Sequence, residues 1–302
     1  MQYKTNMSLV EFLNKYSTEE ACENQLFELK WPSGYKCEKC GCIHFYKISS
    51  RRLSLYQCKD CGYQATVTVN TVMERTHLSL TKWFLAIYLV VHDKRGKSAL
   101  ALSKDIEVAY NTSWLMLQKI RLAMGNRDAC YKLGGFIELD DAYFGGPTKG
   151  DKRGRGTDKV KVIVGLSLDE LGRPLFAKIE VVKNIKGDTL LEFADRNIFE
   201  GATISSDAYS SYQALAKDYD HQPKKFEAND ESDHLKWLHT VIANAKAFIA
   251  GTFHGLDVSH YQRYLNEFCY RFNRRFDEKK LFFRLLNCCA SGTHIPLHEL
   301  TA

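Results

Sequence analysis

No apolar run in this chain of 302 residues is long enough to cross a membrane. The longest candidate, Trp83–Val91, is about half of what a bilayer requires. The opening MQYKTNMSLVEFLNKY has no basic region followed by an apolar core, so no secretory signal is read there. These two absences make a cytosolic chain without a membrane partner the expectation. A disulfide framework is missing as well. Ten cysteines are present, but six of them (Cys22, Cys42, Cys130, Cys269, Cys288 and Cys289) show no regular spacing. Metal thiolates plus free buried thiols are therefore expected. Residues 131–302 also lack net charge, with 24 Lys and Arg against 24 Asp and Glu. The formal excess of +6 sits wholly in residues 1–130, where 18 cationic residues face 12 acidic ones. That asymmetry favours a polyanion partner for the N-terminal part.

What is present fits a soluble protein of two or three domains, with 45% apolar and 26% charged residues. Residues 8–30 read as one or two short helices, with Ser17 and Glu20 at capping-box spacing before Trp31-Pro32 stops the pattern. Cys37-Glu38-Lys39-Cys40 is followed, after 17 residues, by Cys58-Lys59-Asp60-Cys61. Two such pairs place four thiolates around one structural Zn²⁺, and Gly41 and Gly62 let the backbone turn beside it. Phe45–Ile48 and Leu53–Gln57 are the expected strands of a zinc ribbon. Zinc binding of about 10–16 kcal/mol would hold so small a unit together. Lysines and arginines around it, Arg51 and Arg52 among them, suit phosphate contact.

Residues 79–124 read as helical. Ser98–Ile106 and Thr112–Met124 with a short joint between them have the helix-turn-helix layout, in which the second helix enters the major groove of DNA. Asn111, Thr112, Ser113, Gln118, Lys119 and Arg121 are the candidate DNA contacts. An ordinary helical bundle is the alternative.

In the stretch Phe136–Gly146, FIELDDAYFGG, residues Phe136, Ile137, Leu139, Tyr143 and Phe144 read as a buried strand broken by Gly145-Gly146-Pro147, and adjacent carboxylates, Asp140 and Asp141, close its short apolar run. Buried anions are costly unless a cation meets them, so a divalent metal site is expected. Beyond it a basic loop carries Lys149, Lys152, Arg153 and Arg155, candidates for holding a phosphate backbone. Val160–Leu168 and Leu175–Val182 read as a β-hairpin, Thr189–Ile198 as a helix and Ala202–Ser206 as a strand with Asp207 at its end. Phe226–Ala228 is the candidate last strand, ahead of a helix around His234–Ala250. Three antiparallel strands, helix, strand, helix, strand, helix is the order of the ribonuclease-H-like fold. Its first and fourth strands adjoin, which would bring Asp140 and Asp207 together on Mg²⁺ or Mn²⁺. In Ser259–Arg275 aromatic and basic residues alternate; the aromatics read as core, with the arginines facing solvent or DNA.

The WPSGYKCEKCG segment, the second cysteine pair, the 98–124 helices, LDDAYFGG, SDAYSSY, and GTFHG followed by YLNEFCYRFNRR resemble one family. It is the insertion-sequence transposases with a zinc ribbon ahead of a DDE-type domain, the "fifteen-ninety-five" family. The resemblance implies that Asp140 and Asp207 are the first two catalytic aspartates, with Asp141 an acidic neighbour. Anchored on Gly251-Thr252-Phe253-His254, it places His239 where Glu or Asn is usual and Lys246 where Lys or Arg stands. Seven residues put these two on one helix face roughly 10 Å apart. Asn244, Glu231 and Asp233 are the alternative third ligands.

The expected architecture is multidomain. Its parts are a helical segment (1–34), a zinc ribbon (35–75), a helix-turn-helix region (76–130) and an α/β catalytic domain with a mixed sheet (131–302). The expected activity is that of a DNA transposase acting on inverted repeats, as a homodimer or larger assembly on double-stranded DNA, in the cytoplasm of a bacterium at its nucleoid. A DNA-binding regulator derived from a transposase, with an inert catalytic domain, is the alternative.

Overall fold

A computed structural model describes residues 7–146, 159–224, 234–277, 280–292, 295–296 and 299–300. The chain forms two compact units: residues 1–124 with 276–302, and residues 125–275.

In the first unit, helix α1 (Leu9–Lys15) opens with a capping box between Ser8 and Glu11. Helix α2 (Glu19–Lys30) takes Thr18 rather than Ser17 as its N-cap, the Thr18 hydroxyl accepting from the Ala21 N–H. Strands β1 (Phe45–Ile48), β2 (Leu55–Cys58) and β3 (Gln64–Ala65) make an antiparallel sheet, one short strand more than expected. Helix α3 (Leu80–His92) has its first amides held by a residue distant in sequence. Glu19 accepts from the N–H groups of Leu80 (2.7 Å) and Thr81 (3.3 Å), while Arg52 bonds Glu19 and the carbonyls of Thr76 and Leu78. Arg52 is thus a brace between segments rather than a phosphate contact. Helices α4 (Ala99–Asp105) and α5 (Tyr110–Ala129) follow, with Glu107 in the left-handed region (φ 51°) turning the chain between them.

Helix α9 (Leu281–Ala290) packs against α2 and α3, with Phe282 among Phe12, Tyr16, Phe84 and Tyr88 at ring separations of 5.5–6.3 Å. Residues 276–302 were expected to close the catalytic domain. They belong instead to the unit of the N-terminal helices, because the apolar face of α9 completes that aromatic core.

The second unit is built on a five-stranded mixed sheet. Its strands are β4 (Phe136–Phe144), β5 (Val160–Leu168), β6 (Pro174–Val182), β7 (Thr203–Asp207) and β8 (Asp220–Lys224), in the order β6-β5-β4-β7-β8. Strands β4, β5 and β6 are antiparallel neighbours, whereas β7 lies parallel to β4 and β8 parallel to β7. This order and these directions are those of the ribonuclease-H-like fold. The last strand falls at 220–224 rather than Phe226–Ala228, which lies outside the described residues.

Because β4 is central, both its faces are covered. Ile137 and Leu139 pack in a core with Leu190, Phe193 and Ala194 of helix α6 (Gly187–Asn197). Ala142 and Phe144 face the other core, with Leu238, Val241 and Ala245 of helix α7 (Lys236–Thr252) and Leu265 of helix α8 (Tyr261–Phe272). The edge strand β6 is covered by side chains acting as a strand would. Gln262 accepts from the Val181 N–H and donates to the Ile179 carbonyl, and Asn273 does both with Ala177.

Candidate metal and nucleic-acid site

The cysteine pairs meet as their spacing predicts. The sulfur atoms of Cys37, Cys40, Cys58 and Cys61 all lie within 4.8 Å of one another. Gly41 (φ 77°) and Gly62 (φ 70°) make the tight turns, their N–H groups donating to the carbonyls of Cys37 and Cys58. Two of the sulfur pairs stand 3.6 Å and 3.4 Å apart. Four thiolates at about 2.3 Å from a tetrahedral Zn²⁺ would be about 3.8 Å apart, so the group fits that ion. Backbone N–H groups of Cys61 and Asp60 outweigh burial and bring the Cys58 thiol down to about 6, toward the thiolate a metal needs.

In the second unit, Asp140 lies in the middle of β4 and Asp207 at the end of the parallel strand β7. Leu139 pairs with Ser206, which sets the two aspartates at the same level of the sheet. From α7, His239 Nε2 approaches Asp140 Oδ2 at 3.4 Å. The Asp140 carboxyl is pushed up to about 6, chiefly by burial and then by the charges of Asp141 and Asp207, with His239 acting in the opposite sense. A carboxyl so placed among other carboxylates fits a cation. Among the described residues, only the cysteines bring three or more ligand atoms within 4.8 Å of one another; Asp140, Asp207 and His239 do not draw together to that distance.

Asp141 accepts from the Tyr212 hydroxyl at 3.3 Å, and Asp207 accepts from the Tyr209 N–H at 3.1 Å. The carbonyl of Ser206 meets His234 Nε2 at 3.1 Å, and its hydroxyl meets His221 Nε2 at 2.8 Å, so two imidazoles hold the strand just before Asp207. Lys246 is exposed, its ammonium 5.8 Å from the Phe144 ring at the far end of β4. Asn244 is also exposed on α7, while Glu231 and Asp233 lie outside the described residues.

Sequence reading missed Tyr212, His221, His234 and Glu138. For Glu138 a signal existed: it stands two residues before Asp140, on the same face of the strand, in an otherwise apolar run.

The expected DNA contacts divide. Asn111 is exposed and Thr112 and Lys119 are partly so, but Ser113, Gln118 and Arg121 are buried. Ser113 donates to the carbonyls of Ala99 and Tyr110, and Arg121 donates to that of Lys97. Ser113 thus ties α5 to α4 and Arg121 ties it to the turn before α4, and all three are buried away from any nucleic acid. Lys149, Lys152, Arg153 and Arg155 lie outside the described residues. Three of the four arginines of Ser259–Arg275 also depart from expectation. Arg271 pairs with buried Glu267, Arg274 with Asp128 at 2.7 Å, and Arg275 with the carbonyls of Pro174 and Leu175.

Residues 132–273 match the family described as the ISXO2-like transposase domain, and residues 17–64 match the transposase zinc-ribbon domain. An uncharacterized protein in transposable element ISH50 of Halobacterium salinarum is 28% identical over 223 residues, covering 68% of this chain and 73% of that protein. Solved structures of Mos1 are also similar. The strand transfer complex matches at 12% identity and TM-score 0.23, covering 70% of this chain and 79% of that one. The paired end complex with Mn matches at 12% identity and TM-score 0.21, covering 69% and 78%.

Proposed function

The chain belongs to the zinc-ribbon insertion-sequence transposases with a DDE-type catalytic domain, and on that premise we propose that it binds the inverted repeats of its own element. There it catalyses metal-dependent phosphodiester hydrolysis and strand transfer. The observation that carries this reading is the meeting of residues distant in sequence, His239 against Asp140 with Asp207 on the adjoining strand. Mg²⁺ or Mn²⁺, when bound, supplies the Lewis acid that makes an oxygen nucleophile effective and stabilises the departing one. Asp140 and Asp207 hold that ion, and His239 is its third ligand. An imidazole suits Mn²⁺ better than Mg²⁺. Lys246, on the same side of α7 as His239, contacts the DNA strand.

The zinc ribbon, the accessible start of α5 (Asn111 and Thr112) and the half-buried Lys119 at its middle bind the transposon ends, together with the basic loop of Lys149, Lys152, Arg153 and Arg155. Two ends require two active sites, hence a homodimer or larger assembly. The test is cleavage and joining in vitro of the inverted repeats that flank the reading frame. Asp140→Asn and Asp207→Asn should abolish both reactions while end binding persists. Binding without cleavage by the unaltered chain, in either Mg²⁺ or Mn²⁺, would replace this reading with that of an inert regulator.

A further inference from the structure

Helix α7 begins without a cap of its own. Its N-cap residue, Leu235, is buried in the left-handed region (φ 59°), and no side chain of that residue accepts from the first turn. Ser, Thr, Asp or Asn at this position normally takes the N–H two or three residues on. Here the acceptor comes from the sheet. Glu138, only 8% exposed, accepts from the Leu238 N–H through Oε2 at 2.9 Å. Leu238 is the third residue of the helix, the place a local cap would serve. A carboxylate there also meets the positive end of the helix dipole.

The bond sits next to the catalytic geometry on both elements. Glu138 is two residues before Asp140, so the two side chains leave β4 on the same face, toward α7. Leu238 immediately precedes His239. Together with the packing of Leu238, Val241 and Ala245 on Ala142 and Phe144, this hydrogen bond ties the α7 start to β4 where His239 Nε2 stands 3.4 Å from Asp140 Oδ2. A helix rotated by one residue would turn His239 by about 100° and carry it off the carboxylate.

We propose that Glu138 is a positioning residue, a cap supplied by the strand that holds α7 so that His239 and Asp140 act on the same divalent ion. This rests on the metal site of the proposed function and adds a residue that touches neither metal nor DNA. Loss of an outer partner of this kind lowers metal affinity about 10–100-fold.

The test uses the full chain, zinc-loaded, titrated with Mn²⁺ and followed by electron paramagnetic resonance without DNA. In the unaltered chain, bound Mn²⁺ should show a nitrogen coupling that disappears in His239→Ala. Glu138→Leu should lose that coupling and bind Mn²⁺ about 10–100-fold more weakly. Glu138→Gln, which keeps an acceptor of equal reach, should retain both, and Glu138→Asp, which keeps the charge but draws the acceptor back, should not. If Glu138→Leu does not fold, the contrast between Gln and Asp decides. Unaltered affinity and nitrogen coupling in Glu138→Leu, or equal behaviour of the Gln and Asp variants, overturns the proposal. Mn²⁺ binding by the unaltered chain that is insensitive to Asp140→Asn would instead refute the metal site itself.

Discussion

Asp140 destabilises the chain whenever it is ionised without a cation beside it. Its folded pKa of about 6 lies above the ordinary carboxylate value of 3.8. Its favourable contribution to folding is therefore complete below about pH 4 and is lost as pH rises through about 6. The size of this loss is about 1–3 kcal/mol, on the scale of 1.36 kcal/mol per unit. Asp140→Asn cannot ionise, so in zinc-replete buffer free of Mg²⁺ and Mn²⁺ it should melt above the unaltered chain at pH 7 and level with it near pH 4. Added Mn²⁺ should raise the melting temperature of the unaltered chain alone. Equal melting curves at pH 7 would show that the carboxyl is not held against its charge. A second residue-scale prediction concerns Tyr35. It is 4% exposed, its ring packs on Trp31 and Phe45, and its hydroxyl lies beside the Cys37 sulfur. Its pKa is raised by burial first and then by Cys37, Cys58 and Cys61, which places the phenol beside the thiolates. With zinc bound, that O–H has a thiolate to donate to. Tyr35→Phe should release zinc to a chelator about tenfold faster and shift the sulfur-to-metal band of the Co²⁺ form. An unchanged band and rate would leave the hydroxyl without a part in the site.

At the scale of elements, what could be read in advance was whatever a short pattern determines. Two Cys-x-x-Cys pairs fix a tetrahedral cluster locally, and apolar runs mark the strand that carries Asp140 at its middle and the strand that ends at Asp207. The order of the strands then makes them neighbours. Polar residues on helices were less legible, because helical spacing alone does not separate a solvated face from a buried polar joint. Ser113, Gln118 and Arg121 look like a reading face in sequence, yet the first and last bond backbone carbonyls of α4 and of the turn before it. The same ambiguity hid the work of α8. In YQRYLNEFCYRFNRR the residues that matter for the sheet are the amides, Gln262 and Asn273, which satisfy the open edge of β6. An unpaired sheet edge invites pairing with another chain. Asn273→Leu leaves the Ala177 amide and carbonyl without partners, at about 1–3 kcal/mol for each buried group. Hydrogen exchange should then quicken at Ala177 while Val181, held by Gln262, stays protected. Equal protection of Ala177 in the variant would show that the edge is covered by other means.

For the molecule as a whole, the order of the chain and its division into units differ. Residues 125–275 form one continuous unit, and all five strands of its sheet come from within it. The other unit is discontinuous, since residues 1–124 are completed by 276–302. No periodicity reveals this, because an amphipathic helix such as α9 shows that it has an apolar face without showing which core that face joins. The aromatic cluster of Phe12, Tyr16, Phe84 and Tyr88 lacks its central ring until Phe282 has been made. Removing a buried Phe side chain alone costs about 3–5 kcal/mol, a large share of the about 5–15 kcal/mol that holds a domain folded. A chain ending at Arg275 should therefore keep the sheet of the second unit while α1, α2 and α3 lose protection. Zinc should stay bound if the ribbon is held by its metal alone and be released if it also needs those helices. Limited proteolysis with mass detection reads the difference, cleavage being expected between residues 7 and 124 and not within the strands β4, β5, β6 and β7. Phe282→Ala should give the same pattern more weakly. A truncated chain whose N-terminal helices resist protease as well as those of the intact one would show that α9 rests on a unit already stable without it.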